Sequence, residues 1–281
     1  MQKTIIVTGG NDGIGKAIAA DLAAREYRVV IISRNAQKGQ QAVKDITEAT
    51  GQTIDLVIGD LGTISSTKQV ASDLLHKYEK INVLINNAGL WPTKRRQNED
   101  GLEMGFMVNH MAPFILSNLL LGRLQNSLPA RIVNVNAGLY VRGQLNLTQT
   151  PYGHDFSWIN TYANTKLCNI LFTMEFARRI EKTGVTINAV HPGVIRTKLG
   201  ESKGLLSVLM RLIKRGWDEP EKGAEPPVWL AISPDVEGVN GRYFDLKTET
   251  AVNELANDKA LAQQLWTVST NLAQINATAY L

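Results

Sequence analysis

The stretch "KTIIVTGGNDGIG", residues 3–15, joins an apolar run rich in isoleucine and valine to a loop rich in glycine. The apolar run is typical of a buried strand, and the residues that follow the loop have the pattern of a helix. Glycines let the backbone turn tightly and approach a bound group closely, and the amides that open a helix lack intrahelical partners. Because these amides and the helix dipole attract negative charge, the joint predicts a binding site for a diphosphate.

Outward from this joint, short apolar runs alternate with longer segments of helical spacing. Further strands are predicted in "YRVVIIS", "TIDLVIGD", "NVLINNAG", "ARIVNVN" and "GVTINAVHPG", and helices over residues 14–25, 36–50, 65–80 and 99–125. Since each crossover returns along one face of the sheet, this alternation predicts a parallel sheet covered on both faces. The sequence therefore predicts an α/β protein with a doubly wound parallel sheet, a Rossmann fold, in a single domain over residues 1–281.

Two segments depart from the alternation. Residues 143–160 are polar and rich in turn-forming residues, so they predict a loop between a strand end and the next helix. Residues 203–217, "KGLLSVLMRLIKRGW", have amphipathic helical spacing, and we expect a helix that forms a substrate lid over residues 201–217. Its apolar side chains also fit a partner face, a membrane-surface contact or an extra helix packed on the core.

The composition is typical of a globular protein. The chain has 281 residues, 44% of them hydrophobic, and a formal net charge of +4 without a local basic patch. Its single cysteine, Cys168, cannot form an internal disulfide, no charged leader precedes the first strand, and no apolar run is long enough for a membrane helix. We expect a cytoplasmic protein that binds a small molecule, without nucleic-acid partner or transmembrane segment, and homo-oligomer formation stays open.

The end of the second predicted strand bears on the choice between two dinucleotides. Proteins of this architecture that bind NAD place an acidic residue there, which holds the ribose 2′-hydroxyl and repels a 2′-phosphate. In this chain Ser33 takes that place and Arg34 follows, with Lys38 one helical turn further on. Because a guanidinium pairs with phosphate and keeps its charge, we expect NADP as the cofactor.

Four further motifs follow the glycine loop in order. They are "NNAG" at residues 86–89, Asn109 in "MVNHMAPF", "YANTK" at residues 162–166 and "HPGVIRT" at residues 191–197. With these motifs the chain resembles the short-chain dehydrogenase/reductase family from its first strand through Gly200. The stretch "KLCNILFTMEFARRI" is most similar to the branch of the retinol dehydrogenases and the WW-domain oxidoreductase.

The resemblance implies where a dinucleotide lies along the chain. Asp60 is expected beside the adenine, residues 87–89 beside the adenine-side ribose, and Ile195 and Thr197 beside the nicotinamide amide. Asp60 also fits a strand-end cap, and the Pro192–Gly193 pair also fits a plain turn. The expected cofactor-binding residues are Gly9, Asn11, Asp12, Gly13, Ile14, Gly15, Ser33, Arg34, Asp60, Leu61, Asn87, Ala88, Gly89, Tyr162, Lys166, Pro192, Gly193, Ile195 and Thr197.

The spacing of one tyrosine and one lysine fits acid–base chemistry. A carbonyl that accepts a hydride becomes an alkoxide, so the site needs a proton donor. Tyr162 and Lys166 are four residues apart in a helical segment, which places both on one face. A nearby cation stabilises a phenolate, so the pair predicts a lowered tyrosine pKa. The resemblance implies that Tyr162 is the acid/base, that Lys166 also binds the nicotinamide ribose, and that Asn109 continues a proton relay through water.

Two histidines stand near these motifs, His110 and His191. Neither has acidic or cysteine neighbours at metal-ligand spacing. We interpret both histidines as structural residues, and the sequence predicts no metal site.

One expected hydroxyl is missing. Where the family carries the serine that holds the substrate oxygen, this chain has Ala137, preceded by Asn136. Asn136 is a poor replacement, because successive strand residues point to opposite faces. Other candidates to reach the substrate are Tyr140, Asn160 and Thr161. The expected substrate-site residues are Ala137, Tyr140, Leu205, Leu206 and Leu209.

Two functions follow from this pattern. We expect an NADP-dependent oxidoreductase that transfers a hydride between NADPH and a carbonyl, or an activated C=C or imine, of an apolar small molecule. The alternative is an NADP-binding protein without the substrate-binding serine, acting as a redox-neutral catalyst or a non-catalytic binder. The Tyr162–Lys166 pair favours the enzyme and Ala137 favours the alternative, whereas the sequence does not indicate the substrate or the reaction direction.

Overall fold

The computed structural model describes residues 2–195 and 218–276 and confirms the α/β alternation. Its strands are β1 (Thr4–Thr8), β2 (Arg28–Ser33), β3 (Asp55–Ile58), β4 (Val83–Asn86), β5 (Ala130–Val135), β6 (Val185–His191), β7 (Tyr243–Asp245) and β8 (Thr248–Glu249). Every strand expected from the sequence is present. The last two have only three and two residues, which is too short to show a strand pattern in the sequence.

Helices cover both faces of the sheet. They are α1 (Gly13–Ala24), α2 (Ala36–Thr50), α3 (Ile64–Lys77), α4 (Met104–Gln125), α5 (Trp158–Arg179), α6 (Pro220–Ile232) and α7 (Lys259–Ala273). Short 3-10 turns span Gly138–Arg142, Thr150–Tyr152, Pro234–Val236 and Leu255–Asn257. The predicted loop over residues 143–160 therefore contains one 3-10 turn and the start of α5.

Side-chain hydrogen bonds cap the first turns of two helices, α1 and α4. The Asp12 carboxylate accepts a hydrogen bond of 2.9 Å from the backbone N–H of Gly13, and α1 begins there. Helix α4 begins later than residue 99, because Glu103 caps it by accepting a bond of 2.9 Å from the Phe106 N–H. Both caps satisfy amides that the first helical turn leaves without partners.

The strands form one sheet in the order β3-β2-β1-β4-β5-β6-β7-β8. Strands β1 to β7 pair in parallel, and β8 pairs with β7 in antiparallel fashion at the edge. Strand β1 pairs with β2 on one side and with β4 on the other. In such open sheets, ligands bind beyond the carboxyl ends of the strands where the order reverses. This topology places the binding crevice beyond the ends of β1 and β4.

The core has two layers, one on each face of the sheet. Side chains such as Leu74 of α3, Phe114 of α4 and Leu171 of α5 are buried in one layer. Ile18 of α1 and Val228 of α6 are buried in the other. Burial of apolar surface on both faces explains why the strands read as continuous hydrophobic runs. The predicted doubly wound, single-domain fold is confirmed.

Helix α4 has two unusual features. Within the described residues it is long and apolar enough to cross a membrane, but 89% of its most apolar window is buried against other elements. It also contains a π-helical turn over Met107–Met111, which includes Asn109. Such turns insert an extra residue into a helix and are frequent at functional sites.

Candidate functional site

A cavity of about 630 Å³ lies at the carboxyl ends of the strands. It is lined by the loops that follow β1, β2, β3, β4, β5 and β6, together with residues of α5. Most of the expected site residues lie on its wall. These are Gly9, Asn11, Asp12, Gly13, Ile14, Gly15, Arg34, Asp60, Leu61, Asn87, Ala88, Gly89, Ala137, Tyr162, Lys166, Pro192, Gly193 and Ile195.

Some expected residues lie elsewhere. Ser33, Asn109 and Tyr140 are buried and are not part of the cavity wall. The expected lid helix over residues 201–217, with Leu205, Leu206 and Leu209, lies outside the described residues, as does Thr197.

Other lining residues were not expected from the sequence. They include Trp91, Gly138, Leu139, His191 and Val194. Trp91 stands two positions after "NNAG", Gly138 and Leu139 follow Ala137, and His191 and Val194 lie within "HPGVIRT", so proximity to a motif or a site residue is the signal that could have found them.

The glycine loop forms a cradle of backbone groups. Gly9 has a φ of +67°, which favours glycine. A Cβ on Gly15 would overlap the carbonyl oxygen of Gly9 and the side-chain amide of Asn87. Only glycine therefore lets the start of α1 approach the end of β1. The resulting space, bounded by backbone amides at a helix N-terminus, suits a diphosphate.

A threonine joins the ends of β1 and β4. The Thr8 hydroxyl oxygen accepts hydrogen bonds of 2.9 Å from the backbone N–H groups of both Asn87 and Ala88. The Asn87 side-chain amide donates to the Thr8 carbonyl at 2.9 Å. These bonds fix the "NNAG" segment against the glycine loop, so the two motifs share one wall of the cavity.

Arg34 lies at one end of the cavity. Its side chain is 67% exposed, and Nη1 is 4.0 Å from Oδ1 of Asp60, which also accepts a bond from Gly62 N–H. The Ser33 hydroxyl donates to the Asn35 carbonyl at 2.9 Å and so is turned away from the cavity. The expectation that Ser33 contacts the cofactor is therefore not supported by its side-chain position, whereas Arg34 is open to a phosphate.

Three aromatic rings form a stack at the other end. The rings of Trp91 and Tyr162 are 4.4 Å apart between centroids and 9° from parallel. Trp158 follows at 5.9 Å from Trp91, and the Trp91 indole N–H donates to the Trp158 carbonyl at 2.6 Å. Trp91 thus covers one face of the Tyr162 ring and restricts its access to solvent.

Asn109 holds the loop that carries Trp91. Its amide nitrogen donates to the Leu90 carbonyl at 2.8 Å and to the Thr165 hydroxyl at 2.9 Å. Its oxygen accepts a bond of 2.6 Å from the Leu90 N–H. These contacts make Asn109 a positioning residue for the Trp91 loop, and its expected part in a proton relay stays a prediction.

Tyr162 and Lys166 share one helix face, but their pKa values move in unexpected directions. Burial raises the pKa of Tyr162 above its ordinary value. Burial also lowers the pKa of Lys166 to about 8. Lys166 Nζ is 5.6 Å from the Tyr162 ring centroid and donates to the Val135 carbonyl at 3.0 Å. Burial thus opposes the expected lowering of the tyrosine pKa by Lys166, which stays a prediction, and Tyr162 is a phenol at neutral pH.

The end of β5 carries no hydroxyl. Ala137 lines the cavity directly after Asn136, whose amide nitrogen donates to the Lys166 carbonyl at 3.2 Å. The Asn136 oxygen accepts the Ala137 N–H at 2.9 Å. Asn136 therefore supports the strand end, in line with its expected unsuitability as a substitute donor.

Tyr140 is not a substrate residue in this structure. The 3-10 turn over Gly138–Arg142 directs its ring toward β7, where it meets Tyr243 edge to face at 5.2 Å. The expectation that Tyr140 reaches the substrate is wrong, because the turn directs its ring toward Tyr243, whereas Ala137 lies on the cavity wall. Among the described residues, no group of three histidine, cysteine or acidic side chains is placed to hold a metal ion.

Comparison with known proteins identifies the family. A family model described as short chain dehydrogenase matches residues 3–205. The chain is 38% identical to retinol dehydrogenase 14 of Mus musculus, over 95% of this chain and 84% of that protein. It is 36% identical to retinol dehydrogenase 13 of Homo sapiens, over 98% of this chain and 86% of that protein.

A solved structure shows the same fold. An uncharacterized protein from Mycobacterium Paratuberculosis superposes with a TM-score of 0.77 at 27% identity, covering 97% of this chain and 94% of that one. The resemblance read from the sequence motifs is thus confirmed. The chain belongs to the short chain dehydrogenase family, in the branch of the retinol dehydrogenases, and is an oxidoreductase of that family.

Proposed function

We propose that the protein is an NADP-dependent oxidoreductase that reduces a carbonyl group of an apolar small molecule. One observation carries the proposal. A protonated, buried tyrosine, Tyr162, lies on the wall of the same cavity as the glycine cradle and Arg34. This arrangement places a proton donor at one end of a dinucleotide-sized crevice and an anion-binding region toward the other.

The residues that would hold NADP follow from the cavity wall. The amides at the start of α1 suit the diphosphate, and Arg34 suits the 2′-phosphate because its charge is permanent and its side chain is accessible. No carboxylate occupies position 33 to repel that phosphate. When bound in its reduced form, the dinucleotide supplies a hydride to the carbonyl carbon.

Tyr162 supplies the proton. As the carbonyl oxygen gains negative charge, the Tyr162 hydroxyl releases its proton to that oxygen, and the resulting phenolate regains a proton from solvent. Lys166, with its pKa near 8, carries a positive charge at neutral pH and stabilises this phenolate. Because Tyr162 is a phenol before the reaction, it can act as the acid that carbonyl reduction needs.

The cavity wall favours an apolar substrate. Trp91, Val108, Leu139 and Val194 surround the Tyr162 end with carbon-rich surface. The curated relatives are named retinol dehydrogenases, so all-trans-retinal is the first carbonyl to test. An activated C=C or an imine would use the same proton donor and belongs in the same panel.

A second candidate function rests on Ala137. Without a hydroxyl at the end of β5, the protein would bind NADP without redox turnover, as a redox-neutral catalyst or as a binder. Removal of one hydrogen-bond donor to a developing oxyanion typically lowers turnover by about 10²–10³-fold. A reductase without the serine hydroxyl would therefore be slow, and its turnover could still be measured.

Two measurements test the proposal. Calorimetric titration with NADPH and NADH should show much tighter binding of NADPH. Nicotinamide absorbance should then fall when NADPH is mixed with all-trans-retinal, or with apolar aldehydes, ketones, enones and imines. Equal affinities for the two dinucleotides would remove Arg34 from the phosphate role. Tight NADPH binding without turnover on any member of the panel would favour the second candidate.

A further inference from the structure

His191 is placed among the reacting groups rather than in the core. It is the last residue of β6, and it lines the cavity together with Tyr162, Lys166 and Ala137. Its Nδ1 atom is buried and, within residues 2–195 and 218–276, has no hydrogen-bond partner. Because Nδ1 has no acceptor in these residues to which it could donate, nothing there holds the proton of a neutral ring on Nδ1, and Nε2 is free to carry it.

The neighbouring residues leave one edge of the imidazole open to the cavity. A Cβ added to Gly138 would lie 3.5 Å from both Nε2 and Cδ2 of His191. Gly138 directly follows Ala137, the position without a hydroxyl. Because neither residue has a side chain longer than a methyl group, the Nε2 edge is accessible from the side where the substrate oxygen would lie.

The charges around His191 favour its neutral form. Burial lowers the pKa of His191, the Asp245 carboxylate raises it, and the Lys166 ammonium lowers it, with a net decrease. Asp245 is its neighbour across β6 and β7. The ring is therefore neutral at pH 7 and carries one N–H. A neutral imidazole can donate this N–H to an oxygen that gains negative charge during a reaction.

We propose that His191 donates a hydrogen bond from Nε2 to the substrate carbonyl oxygen and so replaces the serine hydroxyl that Ala137 lacks. This inference rests on the proposed reductase function. It assigns the proton to Tyr162 and the second hydrogen bond to His191, with Gly138 providing the opening between the ring and the substrate. Two other candidates are engaged elsewhere, since Asn136 bonds to the Lys166 carbonyl and Tyr140 packs against Tyr243. The remaining candidates, Asn160 and Thr161, do not line the cavity.

Replacement of His191 tests the donor directly. In His191→Leu, kcat on the most active carbonyl of the panel should fall by about 10²-fold, as for other donors to a developing oxyanion. Affinity for NADPH should stay within about threefold, because the ring acts mainly in the transition state. His191→Gln, whose amide nitrogen can reach the same place, should keep at least about tenfold more activity than His191→Leu. His76→Leu, an exposed histidine of α3, is the matched control.

Two further variants separate a donor from a packing residue. Ala137→Ser in the His191→Leu background should restore kcat by at least about tenfold, since a hydroxyl then lies at the strand end. Gly138→Ala should lower kcat without lowering the melting temperature, because its methyl group makes ordinary contact with the ring and covers the Nε2 edge. A packing role for His191 predicts the opposite pattern: loss of melting temperature, no rescue by serine, and no benefit from glutamine.

A binding measurement gives a readout that does not depend on turnover. With histidine labelled with ¹⁵N, acetophenone should shift the Nε2 resonance of His191 and leave that of His76 unchanged. If the parent protein reduces no carbonyl, the proposed reductase function is wrong. The response of the His191 Nε2 resonance to acetophenone then decides whether His191 donates a hydrogen bond to a carbonyl oxygen. Kinetic loss in His191→Leu together with the acetophenone shift supports the inference. An active His191→Leu with unchanged kcat, or an Nε2 resonance that does not respond to acetophenone, overturns it.

Discussion

At its Arg34 end the cavity is lined by the loops that follow the first three strands, whereas at its Tyr162 end it is lined by residues from segments more distant in the sequence. The cradle and its cap lie within residues 8–15, and Arg34 follows the next strand. The other end combines Trp91, Tyr162 and His191 from three separate elements. The first end includes the glycine cradle, and the second includes the aromatic rings of Trp91 and Tyr162.

This difference determines how each end responds to substitution. A backbone cradle keeps its amides whatever side chains surround it, provided that glycines such as Gly15 remain. At the Tyr162 end, Trp91 is held by stacking on Tyr162 and Trp158 and by the Asn109 contacts to Leu90. One substitution there therefore changes substrate access and chemistry without a direct effect on the dinucleotide.

The largest expected effect is at the Tyr162 end. Tyr162→Phe keeps the ring stacked on Trp91 and removes only the hydroxyl. Turnover should fall by about 10²–10⁴-fold, the range for loss of a general acid, while NADPH affinity stays within about twofold. Steady-state kinetics and calorimetry measure the two quantities.

The matched control is Tyr140→Phe, which removes the same hydroxyl from a tyrosine that packs against Tyr243. Its turnover should remain within about threefold of the parent. Full activity in Tyr162→Phe would show that the proton comes from another group.

The next effect concerns the Arg34 end. Arg34→Ala should weaken NADPH binding by about 10- to 100-fold, because charge-assisted hydrogen bonds contribute about 1.5–3 kcal/mol. NADH affinity should change by less than about twofold. Calorimetric titration of both dinucleotides measures the difference, with Arg25→Ala, an arginine paired with Asp21 on α1, as control. An equal loss for NADPH and NADH would contradict the assignment of Arg34 to the 2′-phosphate.

A pH effect should come from the histidine beside Asn109 on α4. Burial lowers the pKa of His110 to about 3, and its Nε2 lies 2.8 Å from the Ser269 hydroxyl. Between pH 6.5 and 3 the unfolded chain binds a proton at this residue that the folded chain does not, so stability decreases as the pH falls. The free energy of unfolding should drop by about 2 kcal/mol from pH 7 to pH 5 through this group.

Urea denaturation at both pH values measures this change. His110→Gln can still bond to Ser269 but does not titrate. Between pH 7 and pH 5 its free energy of unfolding should therefore fall by about 2 kcal/mol less than that of the parent protein. Identical pH dependence in parent and variant would show that His110 is not the source.

The smallest expected effect is at the aromatic stack. Trp91→Leu removes indole surface that lines the cavity, so about 0.5–1.5 kcal/mol of apolar contact with the substrate should be lost and KM for an apolar carbonyl should rise by about 2- to 10-fold, with NADPH affinity unchanged. Trp229→Leu on α6 removes a tryptophan that packs against Phe244, and it serves as control. An unchanged KM in Trp91→Leu would mean that the substrate does not contact the stack.

Much of the fold and the cofactor end could be predicted, because the signals are local. Buried parallel strands appear as apolar runs, and the glycine loop appears at the first strand–helix joint. Arg34 appears directly after the second strand, and a four-residue spacing places Tyr162 and Lys166 on one helix face. Each of these inferences uses residues that are neighbours in sequence.

The substrate end was less predictable, because its properties depend on contacts between distant residues. Burial beneath Trp91 raises the tyrosine pKa that the Lys166 spacing alone predicts to fall. A 3-10 turn directs Tyr140 away from the cavity, although it stands close to Ala137 in sequence. No pattern around Asn109 indicates that its amide holds the Leu90 backbone.

Local sequence therefore indicated a doubly wound sheet, a glycine loop at its first strand–helix joint, an arginine after the second strand, a tyrosine–lysine pair and a strand end without a hydroxyl. Folding settled which side chains share the cavity, how deeply Tyr162 is buried, and that the edge of His191 is open beside Gly138. The reason is physical. Helix and strand patterns arise from periodicity along the chain, whereas burial, ring stacking and the pairing of buried polar atoms arise only when distant segments pack together.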